Sequence, residues 1–217
     1  MIVLGIDGAL GAFSVAVADG EAILAARAEP GNVALERGLA LIAVTLADAG
    51  VSAQRLDRLA IGCGPGSFTG LRIAIAYAKS LAQAWELPLV AVDSFDLLEY
   101  GRGLETALSI VVGRPGVISA RLRRPGGMRR ASGRIDAVLA EILADPPPGP
   151  LPVIGAPKDV LGALAERAIV VRSLEPMITS PAAAAALAAQ SRPPAASVHE
   201  VRADYGELPA AKVPKLS

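Results

Sequence analysis

The sequence contains very few of the residues that build covalent or metal-based sites. Among its 217 residues are one cysteine, Cys63, and one histidine, His199. A disulfide framework is therefore excluded, which fits a reducing compartment. A zinc site of His and Cys ligands is nearly excluded as well, as is a Ser-His or Cys-His catalytic pair. We expect neither a bound metal nor a cofactor.

An excess of charge of either sign is also lacking. The chain has 21 basic and 21 acidic residues, and aromatic residues make up only 3%. A protein that binds nucleic acid on its own needs a basic surface, so this balance argues against that function. Six arginines nevertheless lie within fourteen positions: Arg121, Arg123, Arg124, Arg129, Arg130 and Arg134. We favour the solvated face of a hairpin over the alternative, an RNA contact, because no aromatic residue lies among them.

Neither a secretory leader nor a membrane-spanning run is evident. Residues 2–6 form a short apolar stretch with no basic segment before it. No uncharged apolar run reaches the length needed to cross a bilayer. We therefore expect a soluble cytoplasmic protein.

Hydrophobic residues, 53% of the chain, follow a mixed α/β pattern. Three antiparallel strands are predicted over residues 2–29, with turns at Asp7-Gly8 and Asp19-Gly20. The periodicity then predicts helix 33–49, strand 59–63, helix 70–85, strand 87–92, short helix 94–99, strands 106–112 and 117–123, helix 134–144, strand 151–154, helix 157–167, strand 168–172, and an alanine-rich helix from Ser180-Pro181. Such alternation is typical of α/β folds.

Each half of the chain opens with antiparallel strands. This order resembles the duplicated ribonuclease-H-like lobes of the actin, sugar-kinase and Hsp70 superfamily. The resemblance implies an actin-like α/β fold with one lobe over residues 1–103. A second lobe, short and degenerate, would cover residues 104–217, and the C-terminal tail could return to the first lobe.

The predicted helix over residues 70–85 is apolar almost all round. Its only charged residues are Arg72 and Lys79. A helix without a polar face must be covered on both sides. One side can lie on the sheet, and the other then requires a second helix or another chain.

Two turns have some features of phosphate sites. Asp7 ends the first strand, where actin-like ATPases hold a metal-positioning aspartate, but Ala9 and Leu10 supply no hydroxyl; we favour an aspartate that only shapes the turn. The second turn, 64–70, contains three glycines between a strand and a helix. Backbone N–H groups at such a turn can bind phosphate, yet no lysine follows Gly70 as in a Walker loop. By spacing alone, a structural turn capped by Ser67 or Thr69 is equally well supported.

As a whole string, residues 64–73, Gly-Pro-Gly-Ser-Phe-Thr-Gly-Leu-Arg-Ile, resemble the signature of the TsaB (YeaZ) family. The strand ending at Asp7, the helix at 33–49 and the strand at 87–90 agree in position. Val201–Tyr205 resembles the family's terminal tyrosine-containing segment. The resemblance covers the first hundred residues well and the remainder loosely.

Three departures from the family pattern remove polar groups. Gly8-Ala9 stands where the family has Thr-Ser or Thr-Ala, and residues 34–37 lack the usual histidine. Gly113-Arg114-Pro115 replaces an Asp-Ala-Arg-like turn. These changes weaken an enzymatic interpretation and leave a scaffolding one intact.

The resemblance implies a non-catalytic subunit in making threonylcarbamoyladenosine on tRNA. Its partners would be a TsaD-like catalytic paralogue and a TsaE-like ATPase. The TsaD-like protein would transfer the threonylcarbamoyl group to the adenosine next to the anticodon of tRNAs that read codons starting with A. It would contact tRNA only within the complex, and a homodimer is expected when it is alone. Contact with TsaD would run through helices 33–49 and 70–85.

The residues implied for these roles fall into two sets. The predicted partner interface comprises Leu35, Leu39, Ile42, Leu71, Arg72, Ile75, Ala78 and Lys79. Arg72 and Lys79 would pair across the interface, whereas the apolar members face either the sheet or the partner. The predicted signature turn, which could lie near a nucleotide, comprises Asp7, Gly64, Gly66, Ser67, Thr69 and Gly70.

Two other functions remain as alternatives. A small actin-like ATPase or sugar kinase is favoured by Asp7 and the glycine-rich turn, and disfavoured by the missing hydroxyl and by the lack of a glycine-rich adenosine motif in the second half. A peptidase has little chemical support, because the one histidine lies near the end of the chain and no metal cluster is evident.

Overall fold

The computed structural model describes residues 1–206. Residues 207–217, the end of the predicted second lobe and tail, lie outside the described part. The strands are β1 Ile2–Asp7, β2 Ala12–Asp19, β3 Ala22–Pro30, β4 Arg58–Gly64, β5 Leu89–Asp93, β6 Ala107–Arg114, β7 Val117–Arg124, β8 Gly127–Arg134, β9 Leu151–Ile154 and β10 Val171–Leu174. The helices are α1 Ala34–Asp48, α2 Phe68–Ala84, α3 Ser94–Glu99, α4 Ile135–Ile142, α5 Lys158–Glu166 and α6 Pro181–Ala188.

Two five-stranded sheets repeat one topology. The first has the order β3-β2-β1-β4-β5 and the second the order β10-β9-β6-β7-β8. In each sheet the first three strands in sequence pair antiparallel, and the fourth and fifth strands run parallel to the first. The predicted actin-like α/β fold is confirmed. The second sheet keeps all five strands, although β9 and β10 have only four residues each.

Helices cover both faces of the first sheet. On one face α1 and α2 pack over apolar side chains such as Leu4, Val15 and Leu59. On the other face lie α3 and α6, and the alanines of α6 come so close that a Cβ at Gly5 would overlap the carbonyl oxygen of Ala182. We call this sheet with its four helices the first lobe. The second sheet with α4 and α5 is the second lobe.

The chain returns to the first lobe after completing the second. Helix α6 packs on β1, β2 and β4, and Val201 lies in the core beneath α1 and α2. The division of the chain between residues 103 and 104 stays a prediction. Within residues 1–206, no helix is long and apolar enough to span a bilayer.

Three local features differ from the predictions or add to them. Strand β8 was not predicted, because Gly127–Arg134 has no apolar alternation and lies at an edge of its sheet. The N-cap of helix α3 is Asp93, whose Oδ1 accepts a 2.8 Å hydrogen bond from the backbone N–H of Phe95. The arginine cluster lies on the β7–β8 hairpin, where Arg129, Arg130 and Arg134 are exposed, but Arg121 is only 1% exposed and contacts acidic residues of α3.

Candidate functional site

The signature turn, residues 64–70, joins β4 to α2. Its Ser67 is the N-cap of α2, and the Ser67 Oγ accepts a 3.3 Å hydrogen bond from the backbone N–H of Gly70. Gly64 has a φ of +105°, and a Cβ there would overlap the carbonyl oxygen of Asp204. A side chain at this position is therefore excluded both by backbone conformation and by space.

The first turn of the chain fills the space behind the signature turn. The backbone N–H of Ser67 donates a 2.9 Å hydrogen bond to the carbonyl oxygen of Ala9. Gly8 and Gly70 touch backbone to backbone, because a Cβ on either would overlap the carbonyl oxygen of the other. The two turns thus pack directly against each other through their backbones.

Asp7 is completely buried beneath these turns. Its Oδ2 accepts hydrogen bonds of 3.1 Å from the backbone N–H groups of Ala9 and Leu10. Its Oδ1 lies against Gly62 and has no hydrogen-bond partner among residues 1–206. Burial raises the pKa of Asp7 to about 6, which the two backbone hydrogen bonds offset only in part. The carboxyl group shapes the turn and has no contact with solvent.

The other predicted signature-turn residues differ in access. Gly64, Gly66 and Gly70 are buried, Ser67 is half-buried, and Thr69 is exposed. The Thr69 side chain is therefore the one polar side chain of this turn that is exposed to solvent.

A C-terminal segment, Val201–Gly206, lies along the signature turn. The backbone N–H of Asp204 donates a 2.7 Å hydrogen bond to the carbonyl oxygen of Cys63. The Tyr205 ring lies 4.8 Å from that of Phe68, and the Arg72 guanidinium lies 5.2 Å from the Phe68 ring on α2. The resemblance of residues 201–205 to the family's terminal segment was the only sequence signal for this contact.

Helix α1 presents apolar side chains to solvent. Leu35, Leu39 and Val44 are 69%, 53% and 45% exposed, respectively. Between them and beyond lie exposed alanines, at positions 40, 43 and 47. A surface helix normally directs polar residues outward, so this face of α1 is an unpartnered apolar surface.

Contact between α1 and α2 is close at one point. A Cβ at Gly38 would lie 2.5 Å from a ring carbon of Tyr77, and the Tyr77 ring also packs edge-on against Phe13. The Tyr77 hydroxyl donates hydrogen bonds to the carbonyl oxygens of Leu35, at 2.7 Å, and Ala34, at 3.3 Å. Tyr77 therefore sets the position of the first turn of α1.

Four of the predicted interface residues lie inside the chain's own core. Ile42, Leu71, Ile75 and Ala78 are at most 7% exposed and pack over the first sheet. We therefore remove these four residues from the predicted interface, because side chains that pack against the sheet cannot also contact a partner. The exposed positions of α2 are Phe68, Thr69, Arg72, Ala76, Ser80, Gln83 and Ala84. All but Phe68, whose ring contacts that of Tyr205, are small or polar, so α2 does not require the cover that its composition predicted.

The two charged residues of α2 lie on the flank beside the C-terminal segment. Arg72 is exposed over Phe68. Lys79 is half-buried and lines a groove with Val198 and His199. Their pairing with a partner across α1 and α2 stays a prediction.

A family model described as "TsaD: tRNA N6-adenosine threonylcarbamoyltransferase" matches residues 35–147, slightly more than half of the chain. An uncharacterized protein of Mycobacterium tuberculosis (strain H37Rv) is 36% identical over 119 residues, which are 54% of this chain and 53% of that protein. The chain thus spans about half the length of the first curated relatives that it matches.

Two further matches have informative names. The tRNA threonylcarbamoyladenosine biosynthesis protein TsaB of Escherichia coli is 39% identical over 66 residues, 30% of this chain and 29% of that protein. A crystal structure from Pseudomonas aeruginosa, described as similar to peptidase YEAZ, has a TM-score of 0.72 at 24% identity. This match covers 95% of this chain and 99% of that one, and it shows a common fold.

Proposed function

Since the chain belongs to the TsaD family, and within it to the TsaB (YeaZ) group, we propose that it takes part in making threonylcarbamoyladenosine on tRNA as a non-catalytic subunit. Support for the pathway comes from the family model and from the name of the E. coli relative. Support for the absence of catalysis comes from Asp7, whose carboxyl group is buried and bonded to its own turn.

The catalytic step would belong to a TsaD-like partner. That protein would transfer the threonylcarbamoyl group to the adenosine next to the anticodon, in tRNAs that read codons starting with A. A TsaE-like ATPase would complete the cytoplasmic assembly, and this chain would contact tRNA only within it. The contribution of this chain is to stabilise the partner and to shape the entrance of its active site.

One observation carries the proposal, namely the apolar outer face of α1. Leu35 and Leu39 are the predicted interface residues with large exposed apolar side chains. They lie one helical turn apart, so they form one continuous patch that a helix of the partner can cover. The buried residues Ile42, Leu71 and Ile75 support this patch from below, because they fix α1 and α2 to the sheet.

Co-purification with the TsaD-like protein of the same organism tests the proposed interface. We expect a stable complex with the wild-type chain. Leu35→Asp with Leu39→Asp should weaken binding by about tenfold or more, because the charges would be buried at the contact. Val170→Asp with Met177→Asp is the matched control, since these side chains are 65% and 57% exposed in loops outside α1. Equal loss of binding in both double variants would count against α1 as the interface.

The same face should also support self-association. An exposed apolar surface favours pairing when its partner is absent. We expect the isolated wild-type chain to form a homodimer, and Leu35→Asp with Leu39→Asp to be monomeric. Light scattering coupled to size-exclusion chromatography measures this directly. A dimer that persists in the double variant would place self-association on another surface.

A further inference from the structure

A cluster of charged residues joins the two lobes. The acidic members belong to the first lobe and its helix α3, and the basic members Arg121, Arg123 and Arg130 belong to the second sheet. The cluster consists of Asp93, Asp96, Glu99, Arg121, Arg123, Arg130 and Arg192. We call it the interlobe cluster.

Arg121 is at the centre of the interlobe cluster. It is the largest side chain that the structure buries completely, and it projects from β7 toward α3. Its Nη1 lies 2.5 Å from Asp96 Oδ1, and its Nη2 lies 2.9 Å from Glu99 Oε1. Its Nε donates a further 3.1 Å hydrogen bond to the same Glu99 oxygen. One guanidinium group thus binds two successive turns of α3.

The neighbours of Arg121 repeat this pattern. Arg130 lies opposite Arg121 in the β7–β8 pairing, and its Nη1 donates a 2.7 Å hydrogen bond to Asp93 Oδ2. The guanidinium groups of Arg121 and Arg130 lie 5.1 and 5.4 Å from the ring of Phe95 on α3. Arg123 binds the second oxygen of Glu99 at 2.8 Å. The acidic face of α3 is therefore matched, residue by residue, by arginines of the second sheet.

Apolar and backbone contacts surround the cluster. Phe95 and Leu98 of α3 pack against Val111 and Ile154 of the second sheet. The two connections between the lobes, residues 100–106 and 175–180, are also tied to each other, because the Arg102 guanidinium donates a hydrogen bond to the carbonyl oxygen of Glu175. A hinge motion at these connections would have to break this bond as well.

We propose that Arg121 locks the two lobes in one fixed arrangement, so that they do not rotate relative to each other. Separation of the lobes would break the ion pairs of Arg121 with Asp96 and Glu99 and would expose the apolar contacts of Phe95 and Leu98 to water. It would also leave Asp93 and Glu99 without cations and Asp96 with Arg192 alone, although these three carboxylates lie within seven positions and repel one another. The chain then presents α1 to a partner as part of a rigid body.

Distances between spin labels on the two lobes test this. Labels at Arg55→Cys in the first lobe and Ala165→Cys in the second, both exposed positions, would be attached in a Cys63→Ser background. Pulsed electron resonance should give one narrow distance distribution with Arg121 intact. In Arg121→Met we expect the distribution to widen to about twice that width, as domains freed from a lock move about their connections.

Arg124→Met is the matched control. Arg124 lies on the same strand but pairs with Asp145 of the second lobe at 2.8 Å, so its loss should leave the distribution unchanged. If Arg121→Met does not fold by circular dichroism, Arg123→Met and Arg130→Met each remove one outer ion pair and should give smaller widening. A broad distribution in the background protein would overturn the proposal. So would folded cluster variants whose distributions stay as narrow as the control.

Discussion

The hydroxyl group of Tyr77, in the middle of α2, donates a 2.7 Å hydrogen bond to the carbonyl oxygen of Leu35 in the first turn of α1. The residue that receives this bond through its backbone is also the most exposed leucine of the proposed interface. A hydrogen bond between the two helices thus positions a side chain that faces outward. The first prediction follows from it.

Tyr77→Phe should lower the free energy of unfolding by about 1 kcal/mol, because one phenolic donor serves two backbone carbonyls. Amide hydrogen exchange over residues 34–38 should become faster. Tyr100→Phe is the control, since no hydrogen bond of the Tyr100 hydroxyl occurs within residues 1–206. Unchanged exchange at the start of α1 would show that Tyr77 does not hold it.

Gly38→Ala should destabilise the fold by about 1–3 kcal/mol, measured by urea unfolding. Alanine normally favours a helix over glycine by about 1 kcal/mol. Here, however, the new methyl group would lie 2.5 Å from the Tyr77 ring and 3.2 Å from Phe13, so α1 and α2 must move apart. Gly162→Ala on α5, which meets open space, should instead be neutral or stabilising. A stabilised Gly38→Ala variant would contradict the close α1–α2 contact.

Asp7 should make stability fall as pH rises. Its pKa is raised from 3.8 to about 6 in the folded state, so the folded protein holds this proton at pH values where the unfolded chain has lost it. The resulting stabilisation is complete below about pH 4 and is lost as pH rises through about 6. Asp7→Asn keeps a carbonyl acceptor for the turn and removes the titration.

The measurement for Asp7 is the difference in unfolding free energy between Asp7→Asn and wild type at pH 4, 5, 6 and 7. This difference should shift in favour of the variant by up to about 3 kcal/mol over that range. Taking the difference cancels the contributions of the other acidic groups to the pH dependence. One of them is Asp96: its burial would raise its pKa, but its arginine partners outweigh this effect and lower it. A difference that does not vary with pH would mean that Asp7 titrates normally.

Titration calorimetry with ATP and magnesium separates the proposed role from a small ATPase or sugar kinase. We expect no heat of binding to the isolated chain, because the two glycine-rich turns contact each other through Gly8 and Gly70. Binding in the wild-type chain that Asp7→Asn abolishes would support the nucleotide-binding alternative.

Sequence periodicity was sufficient to place the strands and helices of the first lobe along the chain. Strands β1, β4 and β5 and helix α1 were predicted close to their bounds, because each is a short apolar run or an amphipathic repeat. The orientation of α2 could not be predicted, since alanines supply no contrast between its faces. Only the structure shows that Ile75 and Ala78 face the sheet while Ala76 faces solvent.

Contacts between residues far apart in sequence were beyond prediction. The arginines of β7 and β8 find their carboxylates on α3, more than twenty positions earlier. Similarly, Asp204 reaches Cys63 only because α6 carries the chain back to the first lobe. The local sequence pattern contains no information on either of these contacts. Leu35 and Leu39 were named as interface residues from the resemblance to the TsaB family; the structure shows that they are exposed, and their contact with a partner stays a prediction.

The most direct test of the account is the amount of threonylcarbamoyladenosine in tRNA after depletion of this protein. Nucleosides from digested tRNA would be quantified by mass spectrometry in depleted cells and in cells complemented with each variant. We predict that the modified nucleoside disappears on depletion. The wild-type chain and the Val170→Asp, Met177→Asp control should restore it, whereas Leu35→Asp with Leu39→Asp should not. Full restoration by the leucine variant would refute the α1 interface alone, and persistence of the nucleoside in depleted cells would contradict the function itself.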